Sequence, residues 1–204
     1  MSDTSNIAVL LAAGAIIYMM TRSQGDAEDE PAYEEPDLLD KANAIFLDLT
    51  DAGITDPMEQ KNINAFLWTI RVSEGTADSR GYSTLVGGGQ FTGWADHPRI
   101  LVDLPNLGIK SSAAGAYQII RRTWDGVAAK LGLPDFSPAS QDAAAIELVK
   151  QRGAWADVKA GRFAAAVEKC RKEWASLPGA GYGQRENSLA YLQSTYEKAG
   201  GQVA

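Results

Sequence analysis

Phe66-Leu67-Trp68-Thr69-Ile70-Arg71-Val72-Ser73-Glu74-Gly75-Thr76 is a largely apolar run that ends in a carboxylate followed at once by glycine. Ile63, Phe66, Leu67 and Ile70 recur at helix spacing, and Glu74 lies four residues beyond Ile70. Glu74 therefore points the way the core residues point, where Gly75 is placed to stop the helix. Two effects disfavour its charged form there: partial desolvation and the negative end of the helix dipole. Both hold a carboxyl group protonated near neutral pH, as a general acid requires. Upstream, Asp56-Pro57-Met58-Glu59 marks the start of the same helix, with Asp as cap, Pro at the first position and Glu three after the cap.

Downstream the pattern changes. Tyr82 to Val86, then Gly87-Gly88-Gly89, then Gln90-Phe91-Thr92 predict two short β segments around a glycine turn. The three glycines are not a phosphate-binding loop, because no Lys-Ser/Thr follows and no helix opens there. Tyr117, Ile120, Trp124, Val127 and Leu131 then predict a helix over Ala116 to Leu131. Ser137 as cap and Pro138 at the first position start another, running to about Lys150. Phe163 to Trp174 and Ser188 to Lys198 complete the set, the last ended by Gly200-Gly201. The body is thus α+β, mainly helical with a small β-hairpin element and a cleft between the two parts.

The chain of 204 residues divides into three. Residues 1–25 contain the apolar run Ile7 to Met20, 14 residues long, or 18 over Thr4 to Thr21. At about 1.5 Å per residue that barely crosses a hydrocarbon core of about 30 Å. No positive leading region or Ala-x-Ala site marks a cleaved signal, so an uncleaved hydrophobic anchor is expected. Contact with a membrane or a larger assembly is expected through residues 4–21. Arg22 alone specifies orientation. Residues 26–56 form an acidic tether, with seven acids and two prolines between Asp26 and Asp37, followed by an amphipathic helix over Leu38 to Leu49. Residues 57–204 form the globular body, expected to be the catalytic domain because it carries Glu74.

Charge follows this division. Residues 1–62 hold 13 acids and 3 bases, a net −10, and residues 63–204 hold 13 acids and 16 bases, a net +3, which together give the overall −7. A surplus of three suits an anionic polymer and falls far short of a nucleic-acid footprint. Cys170 is the sole cysteine and sits with Phe163, Val167 and Trp174 at helical spacing, a buried thiol; it excludes an intrachain disulfide. With His97 the sole histidine, no His/Cys-rich zinc site can be built, and neither metal nor cofactor is expected.

Two loop segments suit sugar binding. Tyr117 and Gln118 follow Ala114-Gly115-Ala116, and Tyr182 and Gln184 lie among glycines in Gly179 to Gln184. Aromatic faces stack on sugar rings, while amides answer hydroxyl and N-acetyl groups. The plain alternatives are a core position for Tyr117 and a tight turn for the glycine segment.

Beyond these residues, the stretches Ser73-Glu74-Gly75-Thr76, Val86-Gly87-Gly88, Asp96-His97-Pro98-Arg99, Tyr117-Gln118, Asp135-Phe136-Ser137-Pro138, Ser140-Gln141-Asp142-Ala143 and Trp174 through Gln184 stand in the order and spacing of a known family. Residues from about 62 to 204 resemble the lambda-type endolysins, lysozyme-like lytic transglycosylases of phages. The resemblance implies bacterial peptidoglycan as substrate, with Glu74 as the single catalytic carboxylate; with the apolar run at residues 4–21 it implies membrane or virion contact there, in the host inner membrane facing the periplasm or in the virion. It implies that Glu74 protonates the glycosidic oxygen between N-acetylmuramic acid and N-acetylglucosamine, then acts as base while the muramic 6-hydroxyl closes a 1,6-anhydro ring. The segment Ala77-Asp78-Ser79-Arg80 is shorter than the corresponding loop of the family's better-known members, and the leader to residue 61 has no counterpart there. Read from the residues alone, a muramidase with Asp78 or Asp96 as second carboxylate stays open, as does a non-catalytic wall-binding or virion protein.

Overall fold

A computed structural model describes residues 53–181 and 186–204. The chain enters through α1 (Pro57–Ser73), started as the sequence predicts: Pro57 occupies the first turn and the Asp56 carboxylate accepts from Met58 N at 2.8 Å. The helix is more than an amphipathic stripe. From Asn62 to Ser73 almost every side chain is buried, because α1 is wrapped by other elements and packs chiefly on α4 (Trp155–Lys159) and α6 (Leu189–Lys198). Phe66 meets Phe163 edge to face with ring centroids 6.1 Å apart. Asn62 ties two distant segments to α1: its Nδ2 donates to Lys159 O at 2.9 Å and its Oδ1 accepts from Gln202 N at 2.8 Å. Gly161 fits beneath that tie at φ +70°, where a Cβ would lie 2.0 Å from Gln202 O.

The remaining helices are α2 (Arg121–Leu131), α3 (Pro138–Gln151) and α5 (Phe163–Cys170). In α3 the Ser137 hydroxyl accepts from Ser140 N, as its cap position predicts. Two helices differ from the expected ranges. The segment predicted to begin α2 at Ala116 is a tight turn, closed by reciprocal bonds between Ala114 and Ile119, with Gly115 at φ +77° and Gln118 at φ +46°. Those left-handed residues stop a helix before Arg121. The predicted Phe163–Trp174 helix ends at Cys170 in turns, and α4 had no separate signal.

The β element also lies elsewhere. Tyr82 belongs to a 3-10 turn (Gly81–Ser83), and the glycine segment contributes only isolated bridges, Thr84↔Gln90 and Leu85↔Ala114. The reason is competition for backbone partners: Val86 N bonds Ala113 O at 2.9 Å, so one side of the expected hairpin is taken by the 113–115 turn. The antiparallel sheet is β1 (Val102–Leu104) with β2 (Ile109–Ser111), in register Val102↔Ser111, Asp103↔Lys110 and Leu104↔Ile109. Gly108, at φ 65°, closes the turn between them. Leu104 joins Val86, Ala113 and Ile120 in a small second core beside the main one. The architecture is α+β and mainly helical, with this two-stranded sheet.

Among the described residues no helix is long and apolar enough to cross a membrane. The expected anchor at residues 4–21 and the helix over Leu38 to Leu49 lie outside the described residues.

Because Phe66 is 1% exposed at the centre of the main core, Phe66→Ala is expected to lower unfolding free energy by about 3–5 kcal/mol. Urea denaturation followed by circular dichroism measures it; a loss under about 1 kcal/mol would contradict the central place of α1.

Candidate active site

Glu74 is the residue that ends α1. Its N–H bonds Ile70 O at 2.9 Å, and Gly75, at φ +71°, turns the chain away so that Thr76 N reaches back to Arg71 O at 2.9 Å. The side chain is 2% exposed. Burial pushes its pKa up to about 7, against the Ser176 hydrogen bond, which lowers it. That value divides the carboxyl between its two protonation states near neutral pH. The two carboxyl oxygens differ. Oε1 accepts from Ser176 Oγ at 2.7 Å, whereas Oε2 is buried with no hydrogen-bond partner among the described residues. Behind Ser176, Ser73 Oγ donates to Ser176 Oγ at 2.7 Å, and Asn187 Nδ2 donates to Ser73 Oγ at 3.1 Å.

Two side-chain-to-backbone bonds tie the 115–118 turn to the segments that carry Glu74 and Ser176. Thr76 Oγ1 donates to Ala116 O at 2.5 Å, and Trp174 Nε1 donates to Tyr117 O at 3.2 Å. The turn therefore lies between the residue two beyond Glu74 and the residue two before Ser176. Gln118, 3% exposed, spends its amide nitrogen on Thr84 O at 3.1 Å and Gly115 O at 2.9 Å. Its Oε1 is buried without a partner among the described residues.

Tyr117 corrects the expectation of a sugar-stacking ring. It is 1% exposed, so neither face is open to a ligand, and its hydroxyl donates to Asp142 Oδ1 at 2.6 Å. Tyr82 donates to the same carboxylate at 2.9 Å, and the Arg71 guanidinium lies 4.5 Å from the centre of the Tyr82 ring. Arg71 also donates to Thr76 O and Asp78 O at 3.3 Å each, holding the turn that follows Glu74. Tyr182 and Gln184 lie outside the described residues.

Ser176, Ser73, Asn187, Arg71 and Asp142 carry no individual signal in the sequence. Ser176 and Asn187 stand 102 and 113 positions after Glu74, where no periodicity relates them to it. Ser73, Ser176 and Asp142 do fall within the stretches that carry the family resemblance, which is the one signal for them.

The other polar candidates are occupied. Asp96 accepts from His97 N at 2.7 Å, Trp124 Nε1 at 3.0 Å and Arg99 Nε at 2.8 Å, and the Arg99 bond leads in holding its carboxyl below the usual range. Asp78 accepts from Arg80 N at 2.9 Å. His97 is buried with Nε2 against Ile119 O at 2.9 Å, and burial lowers its pKa. Burial pushes the Cys170 thiol up to about 12, which makes it unreactive. Among the described residues no group of three or more His, Cys, Asp or Glu side chains is arranged to hold a metal ion.

A family model described as Endolysin matches residues 64–203, the stretch that holds all of these groups. The chain belongs to the endolysin family. It is 47% identical over 145 residues to the endolysin of Escherichia phage lambda, covering 68% of this chain and 91% of that protein. Over 155 residues it is 47% identical to the endolysin of Escherichia phage P2, covering 69% and 94%. A bacteriophage lambda lysozyme complexed with a chitohexasaccharide superposes with TM-score 0.67 at 45% identity, covering 71% of this chain and 97% of that one. A second lambda lysozyme structure gives TM-score 0.64 at 43% identity, with the same coverage. The fold is therefore that of lambda lysozyme, and the protein is an endolysin of the lysozyme-like, cell-wall-degrading kind.

These relatives correct the expected location. The matched endolysins correspond over nearly their whole length to about the last two thirds of this chain, and no described helix there is able to span a bilayer. Placement in the host inner membrane or the virion is overturned.

Burying the Glu74 carboxyl has a measurable consequence. Its folded pKa, about 7, lies above the ordinary 4.5, so the folded state binds the extra proton. Stability from this group is complete below pH 4.5 and is lost as pH rises through about 7. Glu74→Gln, which cannot ionise, is therefore expected to be more stable than the parent above pH 7, by on the order of 3 kcal/mol, with no such gain below pH 4.5. Chemical denaturation at both ends of that range checks it; an equal difference at both would show that Glu74 is not held neutral by burial.

Proposed function

We propose that this endolysin is a lytic transglycosylase of peptidoglycan in which Glu74 serves alone as acid and base. The observation that carries the reading is a fully buried carboxyl group with a pKa near 7, one oxygen held by Ser176 and the other free of protein partners among the described residues. In the first step the Glu74 proton passes to the glycosidic oxygen while the bond from that oxygen to the muramic C1 breaks. In the second the 6-hydroxyl oxygen bonds C1 and its proton returns to Glu74. The residue ends as it began, and the product carries a 1,6-anhydro ring. The buried surroundings, poor in water, favour this internal nucleophile over hydrolysis.

A hydrolase of this class uses a second carboxylate, at about 5–5.5 Å for retention or about 6.5–9.5 Å for inversion. Both oxygens of Asp96 are engaged, and no neighbouring charge contributes to the Glu74 shift among the described residues. Those facts favour a lone carboxyl. The lambda lysozyme bound to a chitohexasaccharide supports a glycan strand as ligand, and we assign Gln118 to the wall of that site, with its Oε1 buried and without a partner among the described residues. We assign Tyr182 and Gln184 to the same strand and give Tyr117 the supporting place behind it. Residues 57–204 form the catalytic domain, preceded by the 1–25 and 26–56 segments.

Glu74→Gln is expected to abolish lysis of bacterial walls, a loss of at least about 10³-fold, while the circular dichroism spectrum is kept. Mass spectrometry of wall digested by the parent protein should give anhydro-muropeptides. Reducing-end products would make it a muramidase, and no products at all would reduce it to a wall-binding protein.

A further inference from the structure

If Glu74 is acid and base, as read above, one of its two oxygens must carry the proton, and the surrounding hydrogen bonds select which. Asn187 Nδ2 lies near three oxygens: Ser73 Oγ at 3.1 Å, Ser176 O at 3.3 Å and Ser73 O at 3.5 Å. Two of these are carbonyls, which only accept. The amide must therefore present its nitrogen to this cluster, since its oxygen would face carbonyl oxygens. An amide nitrogen cannot accept, so Ser73 Oγ accepts from it and turns its own single proton elsewhere. Among the described residues the one acceptor for that proton is Ser176 Oγ, at 2.7 Å. Ser176, having accepted, sends its own proton to Glu74 Oε1, also at 2.7 Å. Each hydroxyl has one hydrogen, so the orientation of Asn187 fixes the direction of every bond after it. A proton on Oε1 would either share the 2.7 Å gap with the Ser176 hydrogen or, turned away from it, leave Ser176 donating to a hydroxyl oxygen, a poorer acceptor than a carbonyl oxygen.

We propose that Asn187, Ser73 and Ser176 form a one-way hydrogen-bond chain that keeps the acid proton of Glu74 on Oε2, the oxygen without a protein partner among the described residues. They are positioning residues and act through Glu74. The chain also explains why two buried serines sit beside a buried acid. In the neutral state they orient the proton toward the substrate side. After transfer, Ser176 stabilises the carboxylate through Oε1 and leaves Oε2 open to take the proton of the attacking hydroxyl. The same oxygen thus serves both steps.

Asn187→Asp tests the direction. Asp has nearly the same shape, but when ionised it accepts where Asn donates. Ser73 would then donate to the introduced carboxylate, Ser176 to Ser73, and Glu74 would be drawn into donating from Oε1. Full-length Glu74→Gln, Ser176→Ala, Asn187→Ala and Asn187→Asp are compared on soluble glycan strands across neutral pH, with a thermal melt for each. Asn187→Asp is expected to lose kcat by about 10²-fold with KM kept, and Asn187→Ala by only about 10-fold or less, because Ser73 can still donate to Ser176. Ser176→Ala removes the bond that lowers the Glu74 pKa, so the alkaline limb of its rate profile should move to higher pH. A purely structural role would change melting temperature and leave that limb in place. Asn187→Asp with the kcat of Asn187→Ala, or Ser176→Ala with an unmoved limb, overturns the chain. Should Ser176→Ala not fold, the Asn187 pair decides alone. An active Glu74→Gln would instead remove the underlying acid–base reading, whatever the Asn187 variants do.

Discussion

The structure depends on keeping one carboxyl group out of water at the end of its central helix. Burying an ionised carboxylate without a counter-charge is costly, and the protein meets that cost by keeping Glu74 neutral for much of the time. Two arrangements make this possible. The end of α1 is enclosed by the 115–118 turn and the segment around Trp174 and Ser176, and the group receives a single hydrogen bond, too little to restore an ordinary acidity. A cationic neighbour would have pulled the pKa back down. Arg71, three residues earlier on the same helix, is directed instead to the Tyr82 ring and the carbonyls of Thr76 and Asp78, and its charge lowers the pKa of Asp142.

That second cluster holds the walls of the site. Asp142 on α3 is 4% exposed and receives the hydroxyls of Tyr82 and Tyr117. Burial raises its pKa to about 6, with the two tyrosine bonds and the Arg71 charge acting the other way. The 3-10 turn, the 115–118 turn, α1 and α3 therefore meet at one carboxylate. Gln141, beside it, adds bonds to Ala116 N at 2.8 Å and Tyr82 O at 3.0 Å. Gly115 is required at this junction, since a Cβ there would lie 2.2 Å from Gln141 Oε1. Although Arg71 Nε has no partner among the described residues, the bonds that converge on Asp142 and Gln141 specify one arrangement of these loops where apolar packing alone would tolerate several.

Membership of the endolysin family places these groups in a known kind of enzyme, while the details of support belong to this chain's own structure. The matched stretch contains both the Glu74 environment and the Asp142 cluster. Tyr117 and Gln118, adjacent in sequence, part ways in space: one fixes the scaffold through Asp142, and the other carries the buried, partnerless amide oxygen.

From the sequence alone, local physics determined α1, its Asp56-Pro57 start, its Gly75 stop, the Ser137 cap of α3 and the protonation tendency of Glu74. These follow from periodicity, capping and burial within a few residues of chain. The extent of α2 and the position of the sheet were not legible, because left-handed residues at Gly115 and Gln118 and the claim of Ala113 on Val86 arise from contacts between distant segments. Tertiary structure also decided the fate of Tyr117, whose spacing suits either a core or a sugar platform until Asp142 takes its hydroxyl. It alone brought Ser176 and Asn187 to Glu74. A hydrogen bond across more than a hundred residues leaves no local pattern, since its geometry exists only once the helices between have packed.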